Sequence, residues 1–194
     1  MAEPATRHAT YADLAAVPPH LVAEIIQGAL VTHPRPSPRH AAAHLSLGNM
    51  VGQGYQFGKG GPGGWIFLNE PELHLGRDVV VPDLAGWRRE RLSPFPSTAW
   101  IETPPDWVCE ILSDATEKYD RNEKRRIYGA AGVPDLWLLD PRAKLLECFR
   151  LVAGNWLLTN TFIDRETVKA QPFEAAAFAL DQLWPFDEPD RTSE

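Results

Sequence analysis

A chain of 194 residues falls within the usual span of one domain and can bury a core without disulfides or a structural metal. Hydrophobic residues at 44% and charged residues at 23% exclude a disordered or fibrous chain. The formal net charge of −7 argues against a protein that coats nucleic acid, but clustered acids around a metal would also lower the net charge. A local basic strip, Arg121, Lys124, Arg125 and Arg126, could still face a phosphate backbone.

In chain order, Thr10 can cap a short helix over Tyr11 to Val17, which Pro18-Pro19 interrupts. His20 to Ile26 reads as a helical turn or a strand, and Gly28 marks a turn. After the loop Pro34 to Pro38, residues 39–57 place Ala43, Leu45, Leu47, Met50 and Val51 at helical spacing. The segment GKGGPGG, residues 58–64, lacks the Lys-Ser/Thr ending and following helix of a phosphate-binding loop, so it reads as turn-forming glycine.

Strand-like runs follow at Trp65–Leu68, Glu72–Leu75 and Val79–Trp87, with Gly76-Arg77-Asp78 as a hairpin turn. A proline-bearing loop, residues 88–105, leads to Trp107–Leu112, apolar on both alternating faces except at Glu110, as in a central strand. A helix then starts with Asp114 as cap and Glu117 three residues later, and ends at Gly132 and Pro134. Leu136–Leu139 predicts another strand; Lys144–Leu151 and Trp156–Phe162 predict a hairpin turning at Gly154-Asn155. The expected product is one mixed α/β domain over residues 1–194, with a frayed tail over 185–194.

Cys109 and Cys148 lie in apolar stretches without metal-ligand spacing and read as buried thiols. The N-terminus carries no apolar secretion segment, and no run of about 18 apolar residues occurs, so a cytoplasmic location is expected.

Glu110 is the most informative position, because a carboxylate within a two-sided apolar strand is costly without a compensating cation or several donors. It reads as a metal ligand, or as the partner of a buried Arg. Asp83 follows Pro82 at the end of Val79-Val80-Val81, where proline breaks the ladder and can aim the next side chain into a cleft; alone it would be a turn residue. Two carboxylates on neighbouring strands suit Mg²⁺, with Mn²⁺ as a substitute, and such an ion fits phosphodiester hydrolysis. On the helix after Glu110, Asp120, Lys124, Ile127, Tyr128 and Ala131 share one stripe, which turns Lys124 inward, either as a cationic partner of the acids or as an i, i+4 ion pair with Asp120. His33, His44 and His74 show no ligand spacing, and the tryptophans read as core.

The order Val-Val-Val-Pro-Asp-Leu-Ala, then Pro-Asp-Trp-Val-Cys-Glu-Ile-Leu-Ser, then Asp-Arg-Asn-Glu-Lys-Arg-Arg-Ile-Tyr-Gly-Ala-Ala-Gly-Val-Pro-Asp-Leu-Trp-Leu-Leu-Asp-Pro resembles the Uma-type restriction endonuclease family of the PD-(D/E)XK nucleases. The segments Glu-Ile-Ile-Gln-Gly-Ala-Leu-Val, Pro-Ser-Pro-Arg-His and Leu-Asp-Gln-Leu-Trp extend the resemblance over nearly the whole chain. It implies a restriction-endonuclease-like core, a central mixed sheet flanked by helices with an additional β-hairpin. It also implies Asp83 and Glu110 as metal-binding acids and Lys124 as the active-site lysine. Most of that superfamily places lysine two residues after the second acid, where this chain has Leu112. Glu24 matches a family glutamate that would complete the acid cluster or pair locally, and His40 matches a histidine at a helix start. A homodimer acting on DNA is the corresponding expectation. Three readings follow: a Mg²⁺-dependent DNA endonuclease, a non-catalytic nuclease-fold module that binds protein or nucleic acid, and a metal-dependent phosphoesterase on another substrate.

Overall fold

The structure is a computed structural model that describes residues 7–185. The expected frayed tail therefore lies, apart from Pro185, outside the described residues, and Trp184 just before it is buried.

Helix α1 (Tyr11–Ala15) opens on a capping box in which Thr10 and Asp13 satisfy one another's backbone amides. The ambiguous segment after the prolines is strand β1 (Leu21–Ile26), which turns at Gln27-Gly28 into β2 (Ala29–Pro34). Helix α2 (Pro38–Tyr55) starts on the Ser37 side chain with proline in its first turn. Beyond the glycine loop, whose Gly61 packs so closely on Gly54 that a side chain would meet its backbone, come β3 (Trp65–Asn69) and β4 (Glu72–Leu75).

The run expected as one strand from Val79 to Trp87 is two: β5 (Asp78–Val80) and β6 (Leu84–Arg88). They belong to different sheets. Pro82 has no N–H to donate to a ladder, and the chain crosses from one sheet to the other there. The loop after β6 holds a short strand that sequence patterning passes over, β7 (Trp100–Ile101), before β8 (Trp107–Ile111).

Asp114 does not cap the next helix. Its side chain is 94% exposed and pairs with Arg142. The helix begins at α3 (Glu117–Tyr119), with Thr116 at the cap position making no side-chain cap, and the Glu117 amide bonds instead to the Ser113 carbonyl. It continues through a π-helical turn (Asp120–Lys124) into α4 (Arg125–Ala130). Strand β9 (Asp135–Asp140) follows, then the hairpin β10 (Leu145–Val152) and β11 (Asn155–Ile163). The hairpin turns on Ala153 and Gly154, both at positive φ, so Asn155 already belongs to the strand. The small pair β12 (Thr167–Val168) and β13 (Phe178–Ala179) and a 3₁₀ turn (Leu180–Leu183) close the described chain.

The central mixed sheet has the order β11-β10-β9-β8-β6-β3. Its parallel pair, β8 with β9, is joined across α3 and α4, as a parallel crossover requires; its other pairs are antiparallel. The hairpin expected as an addition supplies β10 and β11, so it extends this sheet rather than standing apart. A second sheet, β2-β1-β5-β4-β7, lies beside it. One face of the central sheet packs Trp65, Trp107, Trp137 and Phe173 against α2 and the 3₁₀ turn. The other packs Val108, Leu112, Leu136 and Leu138 with Ile127 and Tyr128 of α4 and Leu73 and Val80 of the second sheet. Leu112, where the superfamily commonly has lysine, belongs to this second core. Cys109 and Cys148 are buried and free. No helix among the described residues is long and apolar enough to cross a membrane.

Candidate active site

Asp83 stands where the chain leaves the second sheet and enters β6, and Glu110 is the fourth residue of β8. In the antiparallel ladder Leu84 faces Cys109, so one further step along the register sets Asp83 opposite Glu110. Glu110 points to the face toward α4, while Asp83 lies just before β6 and reaches His40 of α2. The two strands are also tied directly: the Ile111 amide donates to Asp83 Oδ2 at 2.7 Å. His40, three residues into α2, sets Nε2 3.1 Å from the other oxygen, Oδ1.

Glu110 is 1% exposed and Lys124 2%. The Lys124 ammonium sits 3.0 Å from Glu110 Oε1, 3.1 Å from Glu24 Oε1 and 3.3 Å from Asp120 Oδ1. It also donates a long bond to the Val81 carbonyl, 3.4 Å. The Tyr128 hydroxyl donates to the same Glu110 oxygen that faces Lys124. Glu24 accepts the Val81 amide at 2.7 Å on Oε1 and has His33 Nε2 3.6 Å from Oε2. The i, i+4 pair with Asp120 is therefore present, but as one of three ion pairs on a single ammonium.

This arrangement gathers four acids, Glu24, Asp83, Glu110 and Asp120, around one lysine and His40. Burial opposes ionisation of Glu24, yet Lys124, the His33 side chain and the Val81 amide together hold its carboxyl below the usual range. Burial lifts the Glu110 carboxyl well above that range; Lys124 opposes this, while Asp120, Asp83 and Glu24 reinforce it. Asp120 is raised as well, mainly by burial. Burial would lower Lys124, but Glu110 and Glu24 outweigh it and keep the ammonium charged. One lysine thus compensates Glu24, and Glu110 and Asp120 are the acids in which ionisation is disfavoured. Burial also disfavours charged His40, but its contact with Asp83 raises its pKa.

A cleft of about 190 Å³ opens onto this cluster, lined among others by Asp83, Glu110, Asp120, His40, Ser37 and Arg35. Neither Glu24 nor Lys124 is among its lining residues. Among the described residues no group of three or more His, Cys, Asp and Glu side chains is arranged around a common metal position. The donors that do reach the cleft nevertheless fit a hard divalent cation. Mg²⁺ takes oxygen ligands, usually one or two carboxylates with the rest water. Asp83 and Glu110 offer that pair, Asp120 Oδ1 is buried with the Lys124 ammonium 3.3 Å away but no hydrogen bond, and the acids outnumber the nearby cations.

The structure thus brings Asp83, Glu110 and Lys124 into one cluster and pairs Glu24 with Lys124, outside the cleft lining. Sequence reasoning treated Asp120 only as an ion-pair partner and gave Tyr128 no role. Both were marked by spacing: residues 120, 124 and 128 recur every fourth position and meet Glu110 and its lysine on successive turns.

Comparison with known proteins gives the family and the fold. Residues 9–181 match the Uma2 family, described as "Putative restriction endonuclease". Among solved structures, a "putative nuclease belonging to DUF820" from Anabaena variabilis superposes with a TM-score of 0.69 at 19% sequence identity, covering 91% of this chain and 97% of that one. No curated protein matches the sequence.

Proposed function

From the chain's membership of the Uma2 family, whose match spans residues 9–181, we propose that it is a divalent-metal-dependent endonuclease hydrolysing DNA phosphodiester bonds. The single observation that carries this reading is the placement of Asp83, just before β6, and Glu110 of β8 together in the lining of one cleft, with an ammonium 3.0 Å from the second acid.

Asp83 and Glu110 would hold Mg²⁺ or Mn²⁺. Bound there, the ion would neutralise charge developing on the phosphate and lower the pKa of a coordinated water. The rest falls to the chain. Asp83 is held at both oxygens, by the Ile111 amide and His40, so its carboxylate is oriented before any ligand arrives. Lys124 is enclosed by three carboxylates, which makes it the cation that offsets part of the burial cost of Glu110 rather than a group that reaches a phosphate. Glu24 anchors Lys124 and grips the Val81 amide, fixing the segment that presents Asp83. An acidic chain approaching a polyanion depends on the metal and on basic side chains at the rim, of which Arg35 lines the cleft.

The test is incubation of purified protein with plasmid, linear duplex and single-stranded DNA in Mg²⁺ or Mn²⁺. Cleavage is expected and is lost in Asp83→Ala; cleavage that survives this substitution sinks the assignment. The enclosed position of Lys124 also favours a second reading, a scaffold that binds protein or nucleic acid without cutting it. Absence of Glu110-dependent Mn²⁺ uptake in calorimetry would select that reading.

A further inference from the structure

Glu110 receives Lys124 and the Tyr128 hydroxyl on the same oxygen, Oε1. A carboxylate beside a lone ammonium can rotate to share both oxygens with it, and a Glu110 turned that way would be withdrawn from the cleft. Two donors converging on one oxygen fix the rotation instead and leave Oε2 free of both. Tyr128 is well suited to this. It is fully buried, its ring is packed in the second core beside Ile127 and Leu138, and its carbonyl is tied to the Val133 amide. It also stands one helical turn after Lys124, so both donors come from one stripe.

We infer that Tyr128 is a positioning residue for metal binding: its hydroxyl pins Oε1 of Glu110 so that the other carboxylate oxygen is presented to a divalent cation in the cleft. This rests on the metal-binding reading of Glu110. Outer partners that orient a metal's carboxylate ligands typically cost 10–100-fold in affinity when removed, and that range sets the expectation here.

The experiment is Mn²⁺ titration of wild type, Tyr128→Phe, Glu110→Gln and the double variant by calorimetry, with thermal melts reporting the folded fraction. Tyr128→Phe keeps the ring and is expected to weaken Mn²⁺ binding about 10–100-fold, with KM for DNA unchanged and kcat at fixed Mn²⁺ reduced. In the Glu110→Gln background the same substitution is expected to add no further loss. A structural role alone would lower the melting temperature and leave the Mn²⁺ affinity of the folded protein intact. Wild-type-like affinity in Tyr128→Phe, or an equal loss in both backgrounds, overturns the inference while leaving the nuclease reading standing. A wild type that takes up no Mn²⁺ overturns both. Should Tyr128→Phe not fold, fluorotyrosine-labelled wild type replaces it. The chain has four tyrosines; one fluorine resonance, that of residue 128, is expected to shift on adding Mg²⁺, and no shift overturns the inference.

Discussion

The two faces of β8 divide stability from chemistry. Trp107, Cys109 and Ile111 point into an aromatic core where Trp107 meets Trp137 and Phe173 edge to face at 5.4 and 5.0 Å. Val108, Glu110 and Leu112 point the other way, where a single acid collects a lysine, a tyrosine and the repulsion of three further carboxylates. Adjacent residues of one strand thus sit in opposite energetic regimes. On the first face apolar burial dominates and favours the folded state. On the second, burial and like charge work against it, which is the ordinary cost of holding a preorganised polar site.

The sharpest way to break this division is to substitute one residue on each face. Glu110→Gln is expected to reduce cleavage by more than the ~100-fold that loss of an outer partner causes. Its urea midpoint should stay near that of wild type, because removing one of four clustered acids relieves repulsion. A large stability loss in Glu110→Gln would show that the acid is structural. Trp137→Ala should do the reverse, losing about 3–5 kcal/mol in urea unfolding, while folded protein retains Mn²⁺ binding.

Asp135, at the start of β9, sharpens the comparison by pH. Burial raises its carboxyl to about 6, with Arg150 only partly opposing. Because the folded value lies above the unfolded one, the contribution to stability is fully present below about pH 4 and is lost as pH rises through about 6. Asp135→Asn should therefore gain on the order of 1–2 kcal/mol above pH 6 and flatten the profile between; an unchanged slope in urea unfolding would refute it. The smallest effect is expected on the surface, where Arg142 pairs with Asp114, Glu117 and Asp140. Arg142→Ala should cost about 1 kcal/mol or less, shrinking further as salt is added.

Legibility in the sequence followed the range of the interactions concerned. The cap at Thr10, the helical spacing after Pro38 and the apolar alternation of β8 are local properties, and the helix, strand and hairpin order followed from them. Asp114 failed as a cap because the Ser113 carbonyl took the Glu117 amide and Arg142, distant in sequence, took the carboxylate. The short β7 pairs only through its parallel neighbour β4, which no local pattern announces.

The site shows the same limit. By itself the sequence determined that Glu110 is an acid in an apolar strand, that Asp83 follows a ladder-breaking proline, and that Asp120, Lys124 and Tyr128 share one helical stripe. Tertiary structure alone decided that Pro82 marks a change of sheet and that the β6–β8 register sets Asp83 opposite Glu110. It also decided that one ammonium serves Glu24, Glu110 and Asp120 together. The physical reason is that burial cost and periodicity are properties of a residue and its near neighbours, whereas charge compensation depends on which distant segments the fold brings within about 4 Å of one another.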